Sequence, residues 1–192
     1  MVQTISRFKK RAAFTLTEAA LVFLIIGVVM TGLWVAVAAV YENSRISTTT
    51  KQLLEIVSRV RSLHGMSQSR MLDSGVNASV LAQAGLIPND LVDYSTSPPT
   101  IHHLWRGELT ITALTTKVSN DSFRIGLLDL PSSSCAALLM KMTGENRDEG
   151  LVSAGGAGSP IVNSSMPIGL SNAVGVCSSD PTNLYFSFML KA

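Results

Sequence analysis

From Ala19 to Val40 the chain reads AALVFLIIGVVMTGLWVAVAAV, without a charged residue. A helix needs about 20 apolar residues to cross a hydrocarbon core, so this run predicts a membrane-spanning helix. Beyond Val40 the residues turn polar, yet Ile46, Leu53, Ile56, Val57, Val60 and Leu63 recur at spacings of three, four and seven. That is the period of one helical face. Glu42, Arg45, Lys51, Glu55 and Arg59 take the opposite face, and no proline falls between Phe14 and Gly65. One uninterrupted helix is expected from about Thr15 to His64, about 75 Å long at 1.5 Å per residue. Its first half suits a bilayer and its second half a globular domain.

After Gly65 the pattern changes. A short helix is expected at about Ala78 to Ala84, stopped by Gly85,. Gly107–Val118, Ser122–Leu128 and Asn183–Leu190 alternate or are rich in β-branched residues, which predicts strands of an antiparallel sheet,. Val118-Ser119-Asn120-Asp121 suits a hairpin turn between the first two. Pro131-Ser132-Ser133-Ser134 precedes CAALLMKM, a capped helix of two to three turns ended by Gly144,. The glycine-rich Gly150–Pro160 stretch reads as flexible loop, and the region from there to Cys177 as loop with short edge strands. The fold class is α+β, a long helix packed on an antiparallel sheet, with residues 41–192 forming the amphipathic half of that helix and an outer domain.

Charge then adds a direction. The chain carries a formal +2, but Arg7, Lys9, Lys10 and Arg11 place +4 ahead of the apolar run, leaving −2 for the remainder. Basic residues before a span and few after it put the N-terminus on the cytoplasmic side. The base excess is confined to the leader and no basic patch with interleaved aromatics follows, so nucleic-acid binding is not expected.

Enzymatic and metal signatures are missing. His64, His102 and His103 have no H-E-x-x-H spacing, no serine sits in G-x-S-x-G, and Ala154-Gly155-Gly156-Ala157-Gly158 lacks the Lys-Ser/Thr of a phosphate loop,. The sparse acids Asp148, Glu149 and Asp180 are poor calcium ligands. No cofactor, metal or catalytic residue is expected. Cys135 and Cys177 form no C-x-x-C pair. In an exported protein one disulfide is the natural reading, and two buried thiols the cytosolic alternative.

Glu18, at the head of the apolar run, needs a reason, because a charge at the centre of a span costs about 2.5–3.5 kcal/mol. Snorkelling to the headgroups is the plain explanation. The string Lys9-Lys10-Arg11-Ala12-Ala13-Phe14-Thr15-Leu16-Thr17-Glu18, however, resembles the processing motif of type IV pilin precursors. That resemblance implies a leader of residues 1–13, cleavage by a prepilin peptidase between Ala13 and Phe14, N-methylation of Phe14, and Glu18 as the fifth mature residue. It also implies a polymerisation helix of residues 14–40, in which Glu18 meets the α-amine of Phe14 on a neighbouring subunit. Ala13 departs from the usual glycine before the cut, and Thr17 from the common isoleucine.

Ala84-Gly85-Leu86-Ile87-Pro88, Pro131 to Cys135, and Cys177 ahead of Asn183-Leu184-Tyr185-Phe186 resemble the b-subclass major pilins of conjugative thin pili. The resemblance implies the pilin fold and a structural subunit, not an enzyme, that passes from the inner membrane to an extracellular fibre of identical copies used for attachment, or for mating-pair contact. The competing readings are a pseudopilin or minor pilin of a secretion or DNA-uptake system, and a signal-anchored monomeric outer domain. Ala36-Val37-Ala38 also offers a signal-peptidase pattern, inside the expected helix.

Overall fold

The computed structural model describes residues 15–66, 76–117, 120–156, 159–179 and 182–191. Helix α1 runs unbroken over Leu16–Met66, as the periodicity predicts. The chain divides into two compact units, Met1–Tyr41 and Glu42–Ala192. In the first, the side chains from Leu21 to Val40 are exposed along the helix, which is long and apolar enough to cross a membrane.

The second unit is the α+β domain. Its five-stranded antiparallel sheet comprises β3 (Leu109–Leu114), β4 (Ser122–Leu130), β5 (Leu151–Gly156), β6 (Ser159–Val162) and β7 (Thr182–Met189), in the order β3-β4-β7-β5-β6. A two-stranded ribbon joins β1 (Val92–Asp93) to β2 (Thr100–Ile101). Helix α2 covers Ala78–Gln83, capped by Asn77 and ended by Gly85 at φ 72°. Helix α3 covers Ser132–Met142 behind Pro131, and α4 covers Leu170–Val176.

The sheet's side-chain alternation organises the core. One row across the strands reads Ile111, Ile125, Phe186, Ala154 and Ile161, and another reads Ala113, Phe123, Phe188 and Leu151. Leu53, Ile56, Val57 and Val60 of α1 are buried in the same cluster as Phe123, Ile125, Phe186 and Phe188. Each such side chain contributes about 1.5–3 kcal/mol on burial. Leu63 completes the periodic pattern but is only half-buried.

Three local expectations change. The glycine-rich stretch at Gly150 is strand, not loop: β5 lies between β7 and β6, because Leu151 and Ala154 face the core while Gly155 passes beside Tyr185. Helix α4 occupies part of the presumed loop before Cys177. The first predicted strand is shorter than Gly107–Val118, beginning at Leu109 and ending at Leu114. Val118 and Ser119 of the predicted turn lie outside the described residues, while Asn120 takes the positive φ, 58°, that such a turn needs,.

Candidate functional site

At the head of the span, Thr15 and Glu18 form a reciprocal cap. The Thr15 backbone N–H donates to Glu18 Oε2 at 3.0 Å, the Thr15 hydroxyl donates to the same oxygen at 2.9 Å, and the Glu18 N–H donates to Thr15 Oγ1 at 3.3 Å. This is the capping box of a T-x-x-E sequence, which satisfies orphan donors at a helix start. The pattern stands in the sequence as Thr15-Leu16-Thr17-Glu18, so Thr15 was legible as Glu18's partner but was missed. Ala13 and Phe14, the expected processing pair, lie outside the described residues.

Within the second unit, polar side chains of α1, among them Glu42, Gln52 and Arg61, hold the helix to its domain. Glu42 Oε1 accepts from Trp105 Nε1 at 2.9 Å and from the Ser134 hydroxyl at 2.5 Å, joining α1 to a loop and to α3. It therefore does not belong to a purely solvated face. Gln52 donates to Asp90 at 2.6 Å. Arg61 donates to both oxygens of Asp148, at 2.8 and 2.7 Å, and through Nε to the Met189 carbonyl at 2.9 Å. The Asp148 carboxyl is held below its ordinary value, first by the hydrogen bond from Arg61 and further by that cation's charge and the Gly150 N–H, against the opposing effect of burial. The exposed Glu55–Arg59 pair, by contrast, adds little,.

The cysteines are joined. Cys135, in α3, bonds Cys177, the residue that ends α4, across 42 positions with a Cα–Cα distance of 5.8 Å. The bridge thus ties two helices to each other rather than a helix to a loop.

The histidines fill structural places. His103 is buried, its Nε2 donates to the Leu128 carbonyl at 2.7 Å, and its Nδ1 accepts the Trp105 N–H at 3.2 Å. Those two partners demand the neutral ring with the proton on Nε2. Burial lowers its pKa, partly offset by the Leu128 bond. Gly107 makes room for this arrangement, since a Cβ there would collide with the Leu128 carbonyl and the His103 ring. His64 lies in the last turn of α1. Among the described residues no group of His, Cys, Asp and Glu is arranged to hold a metal ion.

Residues 43–187 match the protein-family model described as PilS N terminal. A crystal structure described as a type IV b pilin from Salmonella typhi superposes with a TM-score of 0.51 at 17% identity, covering 73% of this chain and 98% of that one. At that identity the likeness is one of fold. No curated protein matches the chain.

Proposed function

The chain belongs to the PilS family and shares the fold of a type IV b pilin, and from that premise we propose that it is a pilus subunit, made as a precursor, cut after Ala13 and polymerised into an extracellular fibre for attachment. Residues 1–13 are the leader removed by a prepilin peptidase. Residues 14–40 hold the subunit in the inner membrane and then pack against other copies in the fibre core. Residues 41–192 form the fibre surface.

The observation that carries this reading is an acid at the head of an apolar run whose side chains from Leu21 to Val40 are exposed. In a hydrocarbon environment an ionised Glu18 is stabilised by a cationic partner, and cleavage after Ala13 would create one in the Phe14 α-amine of a neighbouring subunit. Breaking such a pair costs more than forming it yields, so it selects the stagger between subunits more than it adds stability. The Thr15 cap supports the same reading by giving Glu18 hydrogen-bond partners within its own chain before assembly.

The test is the mature N-terminus, mapped by mass spectrometry with and without a prepilin peptidase, beside fibre yield for Glu18→Ala. The expected result is a peptidase-dependent, methylated Phe14 and loss of fibres in the variant. A chain that still begins at Met1, or that begins near Ala39, returns the signal-anchored or secreted monomer.

A further inference from the structure

The outward face of the sheet carries a second arrangement, independent of assembly. Two cross-strand rows face away from the core. One runs Thr110, Gly126, Tyr185, Gly155, Pro160, and the next Thr112, Arg124, Ser187, Ser153, Val162. Neither row contains an acid, and Arg124 is their one cation. Its guanidinium carbon lies 5.7 Å from the centroid of the Tyr185 ring, within reach of a cation–π contact,. Its Nε is buried without a hydrogen-bond partner among the described residues. A buried polar group left unpaired in this way is uncommon and calls for an explanation.

The floor around these two side chains is shaped for close approach. Tyr185 has a glycine on each neighbouring strand, Gly126 on one side and Gly155 on the other. A Cβ on Gly126 would stand 2.8 Å from the Tyr185 ring and 2.5 Å from the Thr110 hydroxyl, so the ring leans into the space the glycine leaves. Hydroxyls of Thr112 and Ser187 flank Arg124 as its lateral partners on β3 and β7.

The geometry points to this face as a recognition site for a sugar acid, a pyranose bearing a carboxylate. The terminal nitrogens of a guanidinium suit a carboxylate, which they bind through two parallel hydrogen bonds. An aromatic ring at a partly exposed, glycine-flanked position offers a surface for the C–H face of a sugar. Neighbouring hydroxyls both donate and accept, as sugar hydroxyls require. β4 and β7 are interior strands whose backbone groups are already paired, which excludes an extended peptide adding itself as a strand. One cation in two otherwise neutral rows is too little for a nucleic-acid backbone.

The test uses the full chain in a zwitterionic, sugar-free detergent, with saturation transfer measured by NMR to methyl β-glucuronide, methyl β-glucoside and acetate. The expected result is transfer to the glucuronide at least tenfold above that to the neutral glucoside and to acetate. Arg124→Ala and Tyr185→Ala each reduce the glucuronide signal at least tenfold, while Arg124→Lys keeps part of it. Circular dichroism and an intact Cys135–Cys177 bridge establish that the variants are folded. Absence of transfer in the folded wild-type protein, a signal unchanged in Arg124→Ala, or equal transfer to glucoside or acetate would each overturn the assignment. None of these outcomes depends on cleavage after Ala13 or on fibre formation.

Discussion

Arg61 and Asp148 meet fork to fork, two parallel hydrogen bonds of 2.8 and 2.7 Å joining α1 to the loop that enters β5. Because Arg61 also bonds the Met189 carbonyl, one side chain ties the helix to the ends of two strands. Both members are one-fifth exposed. Asp148→Asn keeps the shape but removes the charge, and is expected to cost about 1–3 kcal/mol, the range for a charge-assisted hydrogen bond. Thermal unfolding of the full chain in detergent measures it. The pH sign follows from the lowered Asp148 pKa: the pair's contribution is complete above the ordinary value of 3.8 and is lost as pH falls through the lower folded value,. Wild type and Asp148→Asn are therefore expected to converge in stability well below pH 3.8, whereas a gap that persists there would show that the charge is not what matters.

Gly150 stands against that pair. A Cβ at this position would collide with Arg61 Nη2 and approach Asp148 Oδ1 to 3.2 Å. Gly150→Ala is therefore expected to act by displacing the guanidinium and not by backbone strain. In a double-mutant cycle with Asp148→Asn, the two losses should be markedly less than additive. Full additivity would place the cost of the alanine elsewhere.

His103 imposes a second pH dependence of the same direction at a higher pH. Its folded pKa lies below the ordinary value of 6.5, so the unfolded chain binds the proton more tightly and stability declines as pH falls below 6.5,. Protonating Nδ1 also sets a proton against the Trp105 N–H that it accepts in the folded state. His103→Gln is expected to be less stable at pH 7.5 but to lose most of the decline below 6.5. Melting temperatures of the two proteins across that window decide it, and parallel slopes would assign the decline to another group.

The disulfide closes a loop spanning 42 positions that includes β5, β6 and α4. The chain-entropy model values such a closure at about 4 kcal/mol. The double variant Cys135→Ala, Cys177→Ala is expected to unfold at correspondingly lower denaturant, with most of the loss in resistance to proteolysis appearing between residues 135 and 177. Cleavage mapping separates that outcome from a uniform weakening.

How much of this was legible beforehand depended on whether a residue's role was local. The long helix, the strand at Ser122 and the final strand announce themselves by hydrophobic period, and the helix stop at Gly85 by residue type. β5 did not, because Gly155 and Gly156 signal loop when read alone and strand only when Tyr185 lies alongside. Helix α4 is short and uncapped by a side chain, so its sequence carries little signal. The Thr15–Glu18 box was visible as T-x-x-E. Arg61–Asp148, separated by 87 positions, could be found only by folding the chain.

Glu42 is the residue at which the outer unit begins, and its carboxylate gathers two donors from far along the chain. Trp105 Nε1 and the Ser134 hydroxyl both point to Oε1. Removing the acceptor leaves an indole N–H and a nearly buried hydroxyl without their partner, and Ser134 is only 2% exposed. Glu42→Ala is thus expected to cost about 1–3 kcal/mol per donor left without a bond, less whatever water restores. Glu42→Gln keeps an acceptor and should recover much of the loss. In a Trp34→Phe background the emission of Trp105 reports the site directly: Glu42→Ala should shift it to the red as water replaces the carboxylate, and Glu42→Gln should shift it less. An unchanged spectrum in Glu42→Ala would mean that Trp105 is held by its packing on His103, with which it makes an edge contact at 5.8 Å, and not by the carboxylate.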